Sequence, residues 1–129
     1  MKSSGPKKPT AGELEILRVL WTRGPSTVRE VHDALNRTRD TGYTTVLKLL
    51  QIMVAKGSVR RNEQQRAHVY EACQPAEQTK RQVAGDILQR VFEGSASQLM
   101  MHALAGRKTA PEEIDELRRL LDEYERKRS

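Results

Sequence analysis

Apolar residues recur at helical spacing along most of the chain, and the runs are separated at Gly and Pro. The first run opens at Thr10–Glu13, "TAGE", a capping box in which the threonine side chain accepts from a free amide while Glu13 reaches back. Leu14, Leu17 and Trp21 follow at i, i+3 and i+7 and predict a helical stripe that Gly24 and Pro25 terminate. A second, short helix starts with Ser26 as its cap, or with Thr27 and Glu30 three residues on, and carries Val28, Val31 and Leu35 on one face. After "RTRDTG" comes "TGYTTVLKLLQIMVAKG", which predicts a third helix ending at Lys56–Gly57. On its wheel Val46, Leu49, Leu50 and Met53 form a core side, and Thr44, Lys48, Gln51 and Ala55 fall opposite.

The period then changes. "SVRRN" and "AHVYEA" read as extended segments with Val59, Val69 and Tyr70 as strand formers, joined by a polar "EQQR" tip. From Pro75 the helical spacing returns. Val83, Ile87, Val91 and Phe92 mark a fourth helix that Gly94 interrupts, and "SASQLMMHALAG" makes a fifth with Leu99, Met100 and Leu104 as contact residues. "TAPEE" caps a last helix whose heptad-like stripe is Ile114, Leu117, Leu121 and Tyr124. These late stripes have no visible second layer within one chain, so a partner subunit is expected to cover them.

Composition narrows the setting. With 129 residues, 36% hydrophobic and 31% charged, with one Trp and one Phe, the chain predicts a modest core and a large solvated surface. Lys and Arg number 23 against 17 Asp and Glu, a formal charge of +6, which draws such a molecule to polyanions. The Lys-, Ser-, Gly- and Pro-rich opening predicts a flexible basic tail over residues 1–9. No apolar run approaches the roughly 20 residues of a membrane span, and the basic N-terminus lacks a following apolar region, so no membrane insertion and a cytoplasmic location are expected. A single cysteine, Cys73, excludes an intramolecular disulfide framework.

The chemistry-bearing residues do not assemble into a catalytic pattern. His32, His68 and His102 are scattered over separate elements, and no CxxC, HExxH, GxxxxGK[ST] or GxGxxG occurs. No enzymatic activity, cofactor or metal is expected. Three helices followed by a hairpin is instead the order of a winged helix, in which the third helix lies in the DNA major groove. Thr44, Lys48 and Gln51 would then meet bases and phosphates, and Arg60, Arg61 and Arg66 around the hairpin would be phosphate contacts. The plainer alternative is that an amphipathic helix simply has a polar outer face.

The chain resembles the penicillinase-repressor type of transcriptional regulator, the BlaI/MecI/CopY family. The similarity spans about Thr10 to Tyr124 and rests on "ELEILRVLW", "TVREVHDAL", "YTTVLKLLQIMVAKG", "VYEA", "VFEGSASQLMMHAL" and "EEIDELRRLLDE" in that order. The resemblance implies a bacterial repressor that binds palindromic operators as a homodimer. The fold expected is mainly α with a small β-hairpin: a winged helix-turn-helix over residues 10–73 and a helical dimerisation region over 74–129. Base and backbone contacts would fall by position on Thr44, Thr45, Leu47 and Lys48, with Gln51 added from the helical wheel. The dimer contacts are expected at Val91, Leu99, Leu104, Ile114, Leu117, Leu121 and Tyr124. Two features depart from the family. No cysteine follows Cys73, which disfavours the copper-responsive branch. The penicillinase branch is inactivated when a membrane sensor-protease system cuts an Asn-Phe bond, and the matching pair here is His102–Ala103. Rival functions are a basic protein-interaction module and a redox or ligand sensor built on Cys73 and His68.

Overall fold

A computed structural model of the chain describes residues 8–64 and 66–128. Its elements are α1 (Ala11–Arg23), β1 (Ser26–Thr27), α2 (Val28–Leu35), α3 (Tyr43–Lys56), β2 (Val59–Asn62), β3 (Val69–Ala72), α4 (Ala76–Arg90), α5 (Ala96–Leu104) and α6 (Pro111–Arg128). Residues 1–7 of the expected basic tail, and Gln65 of the expected hairpin tip, lie outside the described residues.

Two capping boxes start the first helices. The Glu13 amide donates to Thr10 Oγ1 and the Thr10 amide to Glu13 Oε1, both at 3.2 Å. Thr27 and Glu30 repeat the arrangement at the head of α2, at 3.1 and 2.9 Å. Of the two caps read from the sequence, Thr27 is therefore the one used. Ser26 is buried instead, its hydroxyl donating to the Gly24 carbonyl at 2.8 Å. Ser26 and Thr27 together form β1, which pairs antiparallel with β3 in the register Ser26↔Tyr70 and Thr27↔Val69. The expected two-stranded hairpin is thus a three-stranded sheet of order β1-β3-β2.

α3 passes into the sheet through a tight reversal. Gly57 sits at φ 86°, a left-handed position that suits a residue without a Cβ, and the Ser58 amide donates back to Met53 O at 3.0 Å while that of Gly57 donates to Val54 O at 3.1 Å. β2 then starts at once, and its register with β3 sets Arg60 opposite Glu71 and Arg61 opposite Tyr70.

The core under these elements consists of Ile16, Leu17 and Leu20 of α1, Val28, Val31 and Leu35 of α2, Val46, Leu50 and Met53 of α3, and Val59 and Tyr70 of the sheet. On α1 the buried face is turned by about one residue from the stripe read in the sequence. Ile16 and Leu20 are buried, while Leu14 and Trp21 are half-buried at the edge, because α2, α3 and β3 all pack against α1 and the face between them wins. Trp21 uses its edge position to donate from Nε1 to the Gln74 carbonyl at 3.1 Å. Glu13 also lies on the buried face, 3% exposed, and accepts from Lys56 Nζ at 2.7 Å, which ties the start of α1 to the end of α3.

The chain divides into two compact units, one running to Gly85 and the other beginning at Asp86. The division falls within α4, whose first part contains the buried Thr79. In the second unit, neither α5 nor α6 contains a buried residue. Ser95 caps α5 by accepting from the Gln98 amide at 3.1 Å. Met100, Met101 and Leu104 of α5 and Ile114, Leu117 and Leu121 of α6 line an apolar groove of about 570 Å³.

Candidate nucleic-acid interface

The two faces of α3 separate as the wheel requires. Val46, Leu50 and Met53 are fully buried, Leu49 is half-buried against the core, and Thr44, Lys48, Gln51 and Ala55 are all exposed. Thr45 is exposed beside Thr44, and Leu47 is half-buried at the edge of the outer face. Among the described residues Lys48 forms no ion pair, so its ammonium is available to an outside anion. The start of α3 differs from those of α1 and α2. Its N-cap is Gly42, with no side-chain cap, and its first turn has no acidic residue. The helix dipole and its free amides are therefore left uncompensated at the end that would approach a phosphate.

The wing arginines do not share one surface. Side chains alternate across a strand, so Arg61, opposite Tyr70, and Arg60, opposite Glu71, leave opposite faces of the sheet. Arg60 forms an ion pair with Glu71 at 2.6 Å, and Arg61 one with Glu63 at 2.5 Å. Both guanidinium pKa values are raised, that of Arg60 by hydrogen bonding and charge from Glu71, and that of Arg61 by hydrogen bonds to Tyr70 and Glu63. Arg66 is different. It is exposed, and no carboxylate pairs with it among the described residues.

Two residues not singled out in the sequence pack together at the start of α3. Tyr43, the first residue of α3, is 41% exposed, with the Arg29 guanidinium 5.5 Å from its ring centroid and the His32 ring at 5.8 Å. Both partners come from α2. The signal was present in the wheel of α2, where a core face of Val28, Val31 and Leu35 leaves Arg29 and His32 together on the adjoining side. Arg29, Tyr43, Leu47, Arg66 and His68 line a cleft of about 490 Å³ between α2, α3 and the wing, with Val28 and Tyr70 beneath.

A basic helix face beside a wing is a shape shared by many DNA-binding proteins, and comparison with known proteins decides the family. The family model described as penicillinase repressor matches residues 9–123. The chain belongs to the penicillinase repressor family. Among curated relatives, the transcriptional regulator BlaI of Mycobacterium tuberculosis is 35% identical over 118 residues, covering 88% of this chain and 84% of that protein. The penicillinase repressor of Bacillus licheniformis is 23% identical over 116 residues, covering 90% and 91%. Among solved structures, the Bacillus licheniformis BlaI monomeric form in complex with the blaP half-operator matches 55% of this chain and 89% of its own, at 25% identity and a TM-score of 0.48. As a member of the penicillinase repressor family the chain is a DNA-binding transcriptional repressor and not an enzyme.

The remaining sequence candidates of this repressor belong to parts of the chain other than α3. His68 is exposed in the wing and Cys73 half-buried, its amide donating to Ser58 O. In the second unit Val91, Leu121 and Tyr124 are 65%, 67% and 61% exposed, and Leu99, Leu104, Ile114 and Leu117 are half-buried. His102 and Ala103 are exposed on the last turn of α5, where the His102 ring lies 5.7 Å from that of Phe92.

Proposed function

We propose that the repressor binds an inverted-repeat operator as a homodimer, with α3 of each subunit in a major groove. The observation that carries this is the outer face of α3, on which Thr44, Thr45, Lys48 and Gln51 stand exposed with no acidic neighbour in the first turn. Threonine offers a methyl and a hydroxyl to base edges, Gln51 suits adenine, and Lys48 suits guanine or a phosphate. Leu47 supplies an apolar edge for a thymine methyl. Arg66 supports the same side, whereas Arg60 and Arg61 would have to give up Glu71 and Glu63 to contribute.

Residues 10–73 carry the DNA-contacting elements in this scheme, and the helices after them carry the dimer. The apolar side chains of Val91, Leu99, Leu104, Ile114, Leu117, Leu121 and Tyr124 are what a second subunit covers. No helix among the described residues is long and apolar enough to cross a membrane, and we place the repressor in the cytoplasm with its DNA. Proteolysis near His102–Ala103 would separate α6 from the rest and release the operator. Because that pair is not Asn-Phe, a membrane sensor-protease system acting here needs a different bond specificity.

The test is selection of duplexes from a random library with the intact protein, followed by sedimentation of the selected complex. A single inverted-repeat motif bound by two chains is expected. Recovery of no motif, with binding governed only by salt, would overturn the reading of α3 as a base-reading helix of a homodimer on an inverted repeat.

A further inference from the structure

Lys48 and its neighbours address bases, but a recognition helix also needs a fixed depth and register, and those come from contacts to the phosphodiester backbone. We infer that the cleft between α2, α3 and the wing seats one strand's phosphodiester backbone, gripped by Arg29 from α2 and Arg66 from the wing, with Tyr43 positioning Arg29. The inference rests on the operator-binding model above and names which residues hold the strand.

Three observations carry it. Tyr43 and Leu47 of α3 line the cleft, so a strand lying in it borders the outer face of α3. No carboxylate lines it among the described residues, whereas Arg29 and Arg66 both do, so its local charge is one-signed. Arg29 and Arg66 are also without a carboxylate partner among the described residues, unlike Arg60 and Arg61, which already have one each. Free cations facing each other across a concave site focus an anion there more strongly than compensated ones on a strand edge. Tyr43 enters through its ring. Its face lies 5.5 Å from the Arg29 guanidinium, a distance at which an aromatic ring holds a cation in one place without neutralising it.

The experiment uses the intact protein, the duplex selected above and a scrambled duplex, with affinities measured across roughly 50 to 200 mM salt. Arg29→Gln and Arg66→Gln should each flatten the slope of log affinity against log salt by about 0.9, equally on both duplexes, since one phosphate contact is lost. Arg60→Gln should leave the slope unchanged. Tyr43→Leu should weaken binding in the wild-type background and add nothing to Arg29→Gln, while Tyr43→Phe should behave as wild type. A scan of single methylphosphonate linkages should find a position that weakens the wild type but costs Arg29→Gln nothing further. Wild-type slopes for Arg29→Gln and Arg66→Gln, or methylphosphonate penalties undiminished in Arg29→Gln, would overturn the inference. If Lys48→Ala still relaxes base preference in that case, the repressor model survives and only the seating of the strand is wrong. A wild-type protein with no preference for any duplex would overturn both.

Discussion

Lys48 stands exposed on the outer face of α3, with Thr44 about one turn before it and Gln51 about one turn after it. If its ammonium reads guanine, Lys48→Ala should cost about 1 to 3 kcal/mol on the selected duplex and less on a scrambled one. Equal losses on both would make Lys48 a phosphate contact, and no loss on either would take α3 out of the interface. A second residue-scale expectation concerns Glu13, whose carboxylate is buried and satisfied by the Thr10 amide and Lys56 Nζ. Removing it leaves Lys56 without its anion and α1 without half of its capping box, so Glu13→Ala should lower unfolding free energy by about 3 kcal/mol. Glu15→Ala breaks only the surface ion pair with Arg39 and should cost under about 1 kcal/mol. Denaturant unfolding of the two variants would show whether the buried pair matters more.

At the scale of elements, the head of α2 joins two structures at one residue. Thr27 caps the helix and also pairs with Val69 in β1, so Thr27→Ala should cost about 1 kcal/mol from the lost cap. Hydrogen exchange should show the loss concentrated in the first turn of α2, and uniform destabilisation would argue against a local cap. The cap itself was legible, because Ser-Thr-x-x-Glu is a local pattern. β1 was not, since two residues make no alternation and their strand geometry is imposed by pairing with Tyr70 and Val69, far along the chain. The same division runs through the interface. The core and outer faces of α3 follow from a wheel, so Val46, Leu50 and Met53 and their opposites could be read directly. Arg60 and Arg61 read as one cluster with Arg66, but the pleat sends them to opposite faces and β3 supplies Glu71. The cleft with Arg29, Tyr43 and Arg66 is assembled from three elements, and no local pattern announces such a site.

At the scale of the whole molecule the unanswered demand is the apolar surface of the second unit. α5 and α6 bury no residue, yet their groove is lined by Met, Leu and Ile side chains, and Val91, Leu121 and Tyr124 stand more than half exposed. A contiguous apolar surface of this kind marks an interaction site rather than ordinary exterior. In a two-fold dimer one patch serves both subunits, and the two recognition helices are then set about 34 Å apart, or a multiple of it, on the DNA. In the dimer proposed above, that spacing would link the second unit to affinity without a base contact of its own. Leu121→Asp with Tyr124→Asp places charges at two exposed positions, where folding of the chain itself has little to lose. The double variant should sediment as a monomer with its helix content retained and should bind a half-site as the wild type does, while losing the gain in affinity that a full inverted repeat gives. A wild-type protein that sediments as a monomer both free and on the full operator would sink the dimer, and with it the idea that cutting α5 near His102 releases DNA.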